Sequence, residues 1–342
     1  MKKNLFFISV AVLALGACTS DNVVEENNSV NLPKEIAFQA IATPSTRAAV
    51  DGTDFPTTLD MKVAAYQVEA TGGSAGTYFD ATTFKYQFVG GSSSGSGSYW
   101  GGETAKFWPL TAAYINFLAI ANANSDNATG VTWGTNKADG VTIVMSDNSS
   151  DQRDLMYARG DGAVTQSGNS LSFPDKVDMV FKHAQAWIDF KVKANSATET
   201  AITVNSITLT GAKYNGTYTI SHTGYNAKTG QGVSGGWTAL GDAKNIAVPN
   251  WAGAALTTSF VTVGNGLMIV PDDAATGDFT SFTINYTFDS KDYTYTYTPA
   301  STQVEQGKHY IYEITFKLHE IFINPTVTDW DDQSATAITI QE

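Results

Sequence analysis

Chemistry needs side chains that converge, and few in this sequence are spaced to do so. The four histidines are His183, His222, His309 and His319. None falls in a His-x-x-x-His or His-Glu-x-x-His spacing and none has a cysteine nearby, so no zinc-type ligand set is present. Paired carboxylates of the kind glycoside hydrolysis requires occur at Asp272-Asp273 and Asp329-Trp330-Asp331-Asp332. Both clusters flank strand-like runs, where Asp ordinarily serves turns. The Asp147-Asn148-Ser149-Ser150-Asp151 segment offers oxygen ligands, but not at the spacing of a calcium loop. There is no Gly-x-Ser-x-Gly elbow, and the Gly/Ser loops at 90–98 and 230–236 lack the Lys-Ser/Thr and helix of a phosphate cradle. His183 sits in an alternating run and reads as a structural or interfacial histidine. The residues point to a protein that is not an enzyme and needs no metal or cofactor.

One position does carry chemistry. The chain has a single cysteine, Cys18, so it forms no internal disulfide. Lys2 and Lys3 precede an apolar run from Leu5 to Leu15, too short to span a bilayer, and Leu15-Gly16-Ala17-Cys18 follows. That tetrad resembles the bacterial lipobox, which predicts a signal peptide over 1–17 and acylation of Cys18. Acyl chains contribute about 0.8 kcal/mol per buried CH₂, and several together make anchoring stable. Residues 19–34 are polar and read as a tether. A strand-like stretch, Ile36 to Ile41, comes next, and then Thr43-Pro44-Ser45-Thr46-Arg47-Ala48. Arg47 among small residues is sterically open to a protease that cuts after arginine, although a loop arginine would look the same.

Composition excludes other roles. The 342 residues carry 20 Lys and Arg against 33 Asp and Glu, a net charge of −13. Nucleic-acid binding and attraction to anionic lipid both rest on basic side chains, so neither is expected. Plentiful aromatic and β-branched residues argue for a folded chain, and its length admits two domains.

The elements are strands. Residues alternate over Phe84–Phe88, Phe282–Phe288 and Tyr310–Leu318, and over 180–192, where Val180, Lys182, Ala184, Ala186, Ile188, Phe190 and Val192 share one parity. Asp289-Ser290 separates Phe282–Phe288 from Tyr293–Tyr297 as in a hairpin. No window sustains a helical stripe. The expectation is all-β, with antiparallel sheets packed as sandwiches and a boundary near 167–176: an N-terminal sandwich over 48–172 and a C-terminal one over 173–342.

Several short stretches, taken in order, resemble one family. They are the Cys18 lipobox, Ile36-Ala37-Phe38, Thr46-Arg47-Ala48, Asp154-Leu155-Met156-Tyr157-Ala158 and Phe181-Lys182-His183-Ala184-Gln185-Ala186. Leu267-Met268-Ile269-Val270-Pro271, Gly307-Lys308-His309-Tyr310-Ile311-Tyr312 and Val327-Thr328-Asp329-Trp330 complete the series. Across nearly the whole chain the pattern is similar to the fimbrillin-like proteins of Bacteroidetes, subunits of lipoprotein-derived fimbriae.

The resemblance implies two transthyretin-like β-sandwiches in tandem and export to the outer membrane. It implies an Arg-specific maturation protease cutting between Arg47 and Ala48. The strand lost would be the one bearing Ile36, Phe38 and Ile41, and the vacated groove would accept a strand from another fimbrial subunit. Donor candidates near the C-terminus are the alternating Ile321 and Ile323, then Ile338 and Ile340; all four equally suit ordinary edge strands. Shaft, tip and anchor roles stay open, as does a host or glycan ligand. The alternative from another class is a surface glycan-binding lipoprotein, with Trp100, Trp108, Trp133 and Trp237 stacking on sugars. Loss of residues 1–47 removes four basic and four acidic side chains, so the charge of the remainder is still −13.

Overall fold

The structure is a computed structural model. It describes residues 33–42, 55, 57–68, 76–87, 99–121, 128–134, 141–145, 154–199, 201–221, 234–272, 277–317, 320–329 and 336–337. Cys18, Arg47, Ala48, Ile338 and Ile340 lie outside these, as do His222, His319 and the Asp147–Asp151 loop.

The described chain is all-β. Its first part holds β1 (Ala37–Ala42), β2 (Met61–Val68), β3 (Gly76–Gln87), β4 (Tyr99–Gly102) and β5 (Ala113–Ala121). Then come β6 (Ala128–Trp133), β7 (Val141–Met145), β8 (Met156–Ser167), β9 (Ser170–Ser172) and β10 (Val177–His183). These are followed by β11 (Ala186–Ala194), β12 (Thr203–Ala212), β13 (Thr217–Ser221), β14 (Ser234–Thr238), β15 (Lys244–Ala247), β16 (Ala254–Ala255) and β17 (Val261–Thr262). The last are β18 (Leu267–Ile269), β19 (Ser281–Phe288), β20 (Lys291–Tyr297), β21 (Lys308–Lys317), β22 (Glu320–Asp329) and β23 (Thr336–Ala337).

The strands enclose two main cores. The first sheet runs β10-β1-β4-β3-β2-β5-β8-β9, and a β10–β8 pairing curls it back on itself. Inside it lie Phe38, Phe55, Met61, Phe84, Trp108, Phe117, Met179 and Phe181, all essentially without solvent exposure. The second core is a sandwich. One sheet carries β17-β11-β21-β22-β23, with β18 also on β11, and the other carries β15-β12-β19-β20, with β16 on β12. Alternate residues of each point inward, so Phe190 of β11 meets Phe282 of β19 at 5.0 Å between ring centres.

A four-stranded sheet, β14-β13-β7-β6, joins the two parts of the chain: β13 pairs antiparallel with β7, from Thr217↔Val144 to Ile220↔Val141. Tyr218, Ile220, Val141 and Ile143 pack on Ala64, Leu118, Ile120 and Tyr157 to form a third, smaller core. The β13–β7 pairing and this third core tie residues 141–145 to residues 217–221.

The alternation expected over 180–192 is not one strand but two, in different sheets. In β10 the odd residues Val177, Met179, Phe181 and His183 are buried, while Val180 and Lys182 are exposed; in β11 the even residues Ile188, Phe190 and Val192 are buried. A bend at Ala184-Gln185 shifts the phase. It is fixed by Ala184 N–H donating to Leu155 O (2.8 Å), Leu155 N–H donating to the Gln185 side chain (2.9 Å) and Gly307 N–H donating to Gln185 O (2.9 Å). The chain thus passes at Ala184-Gln185 from β10, whose Val177, Met179 and Phe181 lie in the first core, to β11, whose Ile188, Phe190 and Val192 lie in the second.

The Asp289-Ser290 hairpin forms as the sequence suggests. Both residues take positive φ, 49° and 60°, as a two-residue turn joining twisted strands requires. The helical content is a single 3-10 turn at Ala197–Glu199 among the described residues.

Candidate functional site, a severable strand and the junction beside it

The strand at the start of the described chain is integral to the first core. Ile36 and Phe38 are fully buried and Ala40 nearly so, while Gln39 between them is exposed, the period-two signature of a half-buried strand. Phe38 meets Phe84 edge-on at 4.8 Å and Phe117 at 5.0 Å. β1 lies between two partners. It runs parallel to β10 from Phe38↔Val177 to Ala42↔Phe181, which includes Ile41↔Val180, and antiparallel to β4 at Ala37↔Gly101 and Phe38↔Trp100.

The residues before β1 are tied down as well. Ile36 N–H donates to Lys106 O at 2.7 Å, Trp108 N–H donates to Lys34 O at 2.9 Å, and Lys34 Nζ sits 3.2 Å from Asp175. β1 is thus a middle strand and the first of the described strands, and its C-terminal end leads on toward the rest of the described fold. Taking it away would leave β10 and β4 facing each other across a strand-wide gap lined by Phe84, Trp100, Phe117, Met179 and Phe181. Fully burying a large apolar side chain is worth about 1.5–3 kcal/mol, so such a groove strongly favours being refilled.

Two stretches flagged in the sequence meet just below. His183 at the end of β10 directs Nδ1 to both oxygens of Asp154, at 2.9 and 2.8 Å, with both side chains buried. Beside them, the Gln306 amide donates to the hydroxyls of Tyr157 (3.0 Å) and Tyr218 (2.9 Å), and Trp237 Nε1 donates to Ala184 O. Residues from both main cores and the shared sheet converge here, which satisfies buried polar groups and fixes the bend. Sequence reading had no means of pairing Asp154 with His183; the only signal was a histidine within an alternating run.

His309 at the start of β21 stacks flat on Trp187 of β11, 3.7 Å between ring centres and 8° between planes. Burial, with Lys191 nearby, pulls its pKa down to about 3; Asp189, 4.0 Å away, does not offset this. At neutral pH it is an uncharged ring filling an apolar slot.

The other flagged residues are scattered. Asp272 pairs with Lys213 at 2.6 Å, and Asp329 ends β22 opposite Lys308. Among the described residues no group of three His, Cys, Asp or Glu is placed to hold a metal. No helix among them is long and apolar enough to cross a membrane. Trp100 and Trp108 belong to the first core and Trp133 and Trp237 pack half-buried against the third. Ile321 and Ile323 lie on β22, half-buried against the second core, and β22 pairs with β21 over its whole length.

The fimbrillin-like family profile matches residues 46–330. The chain belongs to the fimbrillin-like family. Solved structures resemble this chain at low identity. A candidate cell adhesion protein of Bacteroides ovatus is 16% identical with a TM-score of 0.51, over 89% of this chain and 100% of that one. A fimbrial protein of Bacteroides vulgatus is also 16% identical, with a TM-score of 0.47 over 87% and 100%. The tip fimbrial protein Mfa3 of Porphyromonas gingivalis, with a C-terminal truncation, is 13% identical, with a TM-score of 0.46 over 87% and 100%. Among curated proteins no sequence matches this chain.

Proposed function

We propose that this fimbrillin-like protein is a structural and adhesive subunit of a cell-surface fimbria, without catalysis. It is exported as a lipoprotein acylated at Cys18, cut between Arg47 and Ala48, and polymerised by strand exchange with other fimbrial subunits. The observation that carries this reading is the position of β1, a buried middle strand whose C-terminal end leads toward Arg47 in the sequence. Cleavage turns an internal strand into a removable one. Its loss bares apolar surface and two rows of backbone N–H and C=O groups, which accept an incoming strand. A contact of that head-to-tail kind does not close, so it extends into a filament.

The donor falls most naturally to the segment beyond β22, with Ile338 and Ile340. β22 itself, with Ile321 and Ile323, is committed to the second core. The Trp positions give the glycan-binding alternative no support.

Treating the purified precursor with an Arg-specific protease tests the reading. The expected product begins at Ala48 and forms a ladder of oligomers that disappears when residues 330–342 are deleted. A product cut after Arg47 that stays monomeric at high concentration overturns polymerisation; resistance of Arg47 to the protease overturns the maturation step.

A further inference from the structure

β20 ends its sheet, and among the described strands it pairs with β19 alone. Its register with β19 is unbroken from Phe288↔Lys291 to Phe282↔Tyr297. The closing pair of a two-residue hairpin is the hydrogen-bonded one, so Lys291, Tyr293, Tyr295 and Tyr297 turn their backbone groups toward β19. Asp292, Thr294 and Thr296 therefore turn theirs outward. Proteins guard such edges with bulges, proline, inward charges or brevity. Among the other described sheet ends, β9, β15, β17 and β23 are short, β6 carries a bulge between Ala128 and Gly130, and β14 has five residues. β20 has seven residues, no bulge, no proline, and no charge from Tyr293 to Tyr297.

The side chains are equally regular. On the outer face, rows of small polar residues cross the sheet: Ser206, Asn285 and Thr294 form one, and Thr208, Thr283 and Thr296 the next. They bond to one another, with Asn285 Nδ2 donating to Ser206 Oγ (3.0 Å), Thr294 Oγ1 donating to Asn285 Oδ1 (2.9 Å), and Thr283 and Thr296 hydroxyls 3.1 Å apart. The rows stop at the open edge. On a chain of net charge −13 this is a neutral, flat and patterned strip.

We propose that the β20 edge is a two-fold self-association site, occupied by β20 of a second copy. Antiparallel pairing centred on Thr294 sets Thr294 against Thr294 of the second copy and Asp292 against its Thr296. These are the outward-facing residues, so each pair exchanges two backbone hydrogen bonds. On the other face Tyr293 meets Tyr295 of the second copy, and Lys291 meets its Tyr297. No like charges are opposed, aromatic residues meet aromatic residues, and the hydroxyl rows run on into the second sheet. Nothing in this contact needs cleavage at Arg47 or a donor strand. In an assembled fimbria it would join filaments side by side.

Sedimentation equilibrium of the uncut C18S protein, which is neither acylated nor able to cross-link through its own cysteine, tests the contact. A concentration-dependent dimer that goes no further is expected. T294P removes an outward N–H and T294K opposes two like charges, so each should weaken the dimer by about 10-fold or more with an unchanged melting curve. In the same background T294C should cross-link on oxidation, because Cα atoms about 5.5 Å apart suit a disulfide. A protein that is monomeric throughout and does not cross-link through T294C overturns the proposal. So does a dimer that survives both T294P and T294K.

Discussion

His183 Nδ1 stands 2.9 and 2.8 Å from the two carboxylate oxygens of Asp154, and solvent reaches neither side chain. Removing one partner strands the other in an apolar junction. His183→Ala is expected to destabilise the protein by about 3–5 kcal/mol, and Asp154→Asn, which keeps an acceptor, by clearly less. Urea denaturation of both variants measures the difference.

Phe38 contributes only while β1 is in place. Phe38→Ala should cost the precursor about 3–5 kcal/mol, through lost transfer energy and a cavity beside Phe84 and Phe117. The same substitution should leave the form beginning at Ala48 unaffected. Thermal melts before and after Arg-specific cleavage give both numbers from one variant.

Gly162 on β8 lies against the six-membered ring of Trp108, where an added Cβ would strike the indole around Cη2. Trp108 is buried, and its ring meets Phe117 edge-on at 5.7 Å, so it has little room to yield. Gly162→Ala is expected to cost about 1–3 kcal/mol by overpacking, and Trp108 fluorescence should shift with it.

His309 makes stability depend on pH in a defined window. Its pKa is near 3 when folded and about 6.5 when unfolded, so the unfolded chain takes up the proton first as pH falls. Above pH 6.5 or so both states are neutral and the full stability is present. Below that, stability drops by up to about 1.4 kcal/mol per pH unit until the folded ring titrates as well. His309→Phe keeps the stack on Trp187 and should flatten this acid limb, measured by urea titrations from pH 7 to about 4.

Much of this fold was legible because strand residues alternate. The Asp289-Ser290 hairpin, the Tyr310 strand and the strand-like stretch from Ile36 to Ile41 all follow from local patterning and turn chemistry. Parity failed at 184–185. Val180 and Lys182 share parity with Ala186 and Ile188, yet the bend reverses which side faces the core, and the backbone bonds that make the bend come from Leu155 and Gly307. Those partners are remote in sequence, so no local window contains the information. The same holds for the tryptophans: Trp100 beside Gly101 and Trp108 between Phe107 and Pro109 carry no local mark of the core they join until their neighbours from other strands are placed. Partnership between Asp154 and His183 was hidden for the same reason.

The pairing of β7 with β13 also sets an order of events in time. During synthesis and export, β7 emerges with β6 on one side, while its other partner, Thr217–Ile220, is still to come. Until then Val141 and Ile143 wait beside an incomplete surface, and a chain stopped near residue 185 leaves bare the edge of β7 that β13 covers in the whole protein. The third core therefore closes only after β11, β12 and β13 have been made. Any shortened version of this protein would have to carry residues 217–238 with it to avoid sticking to its own copies.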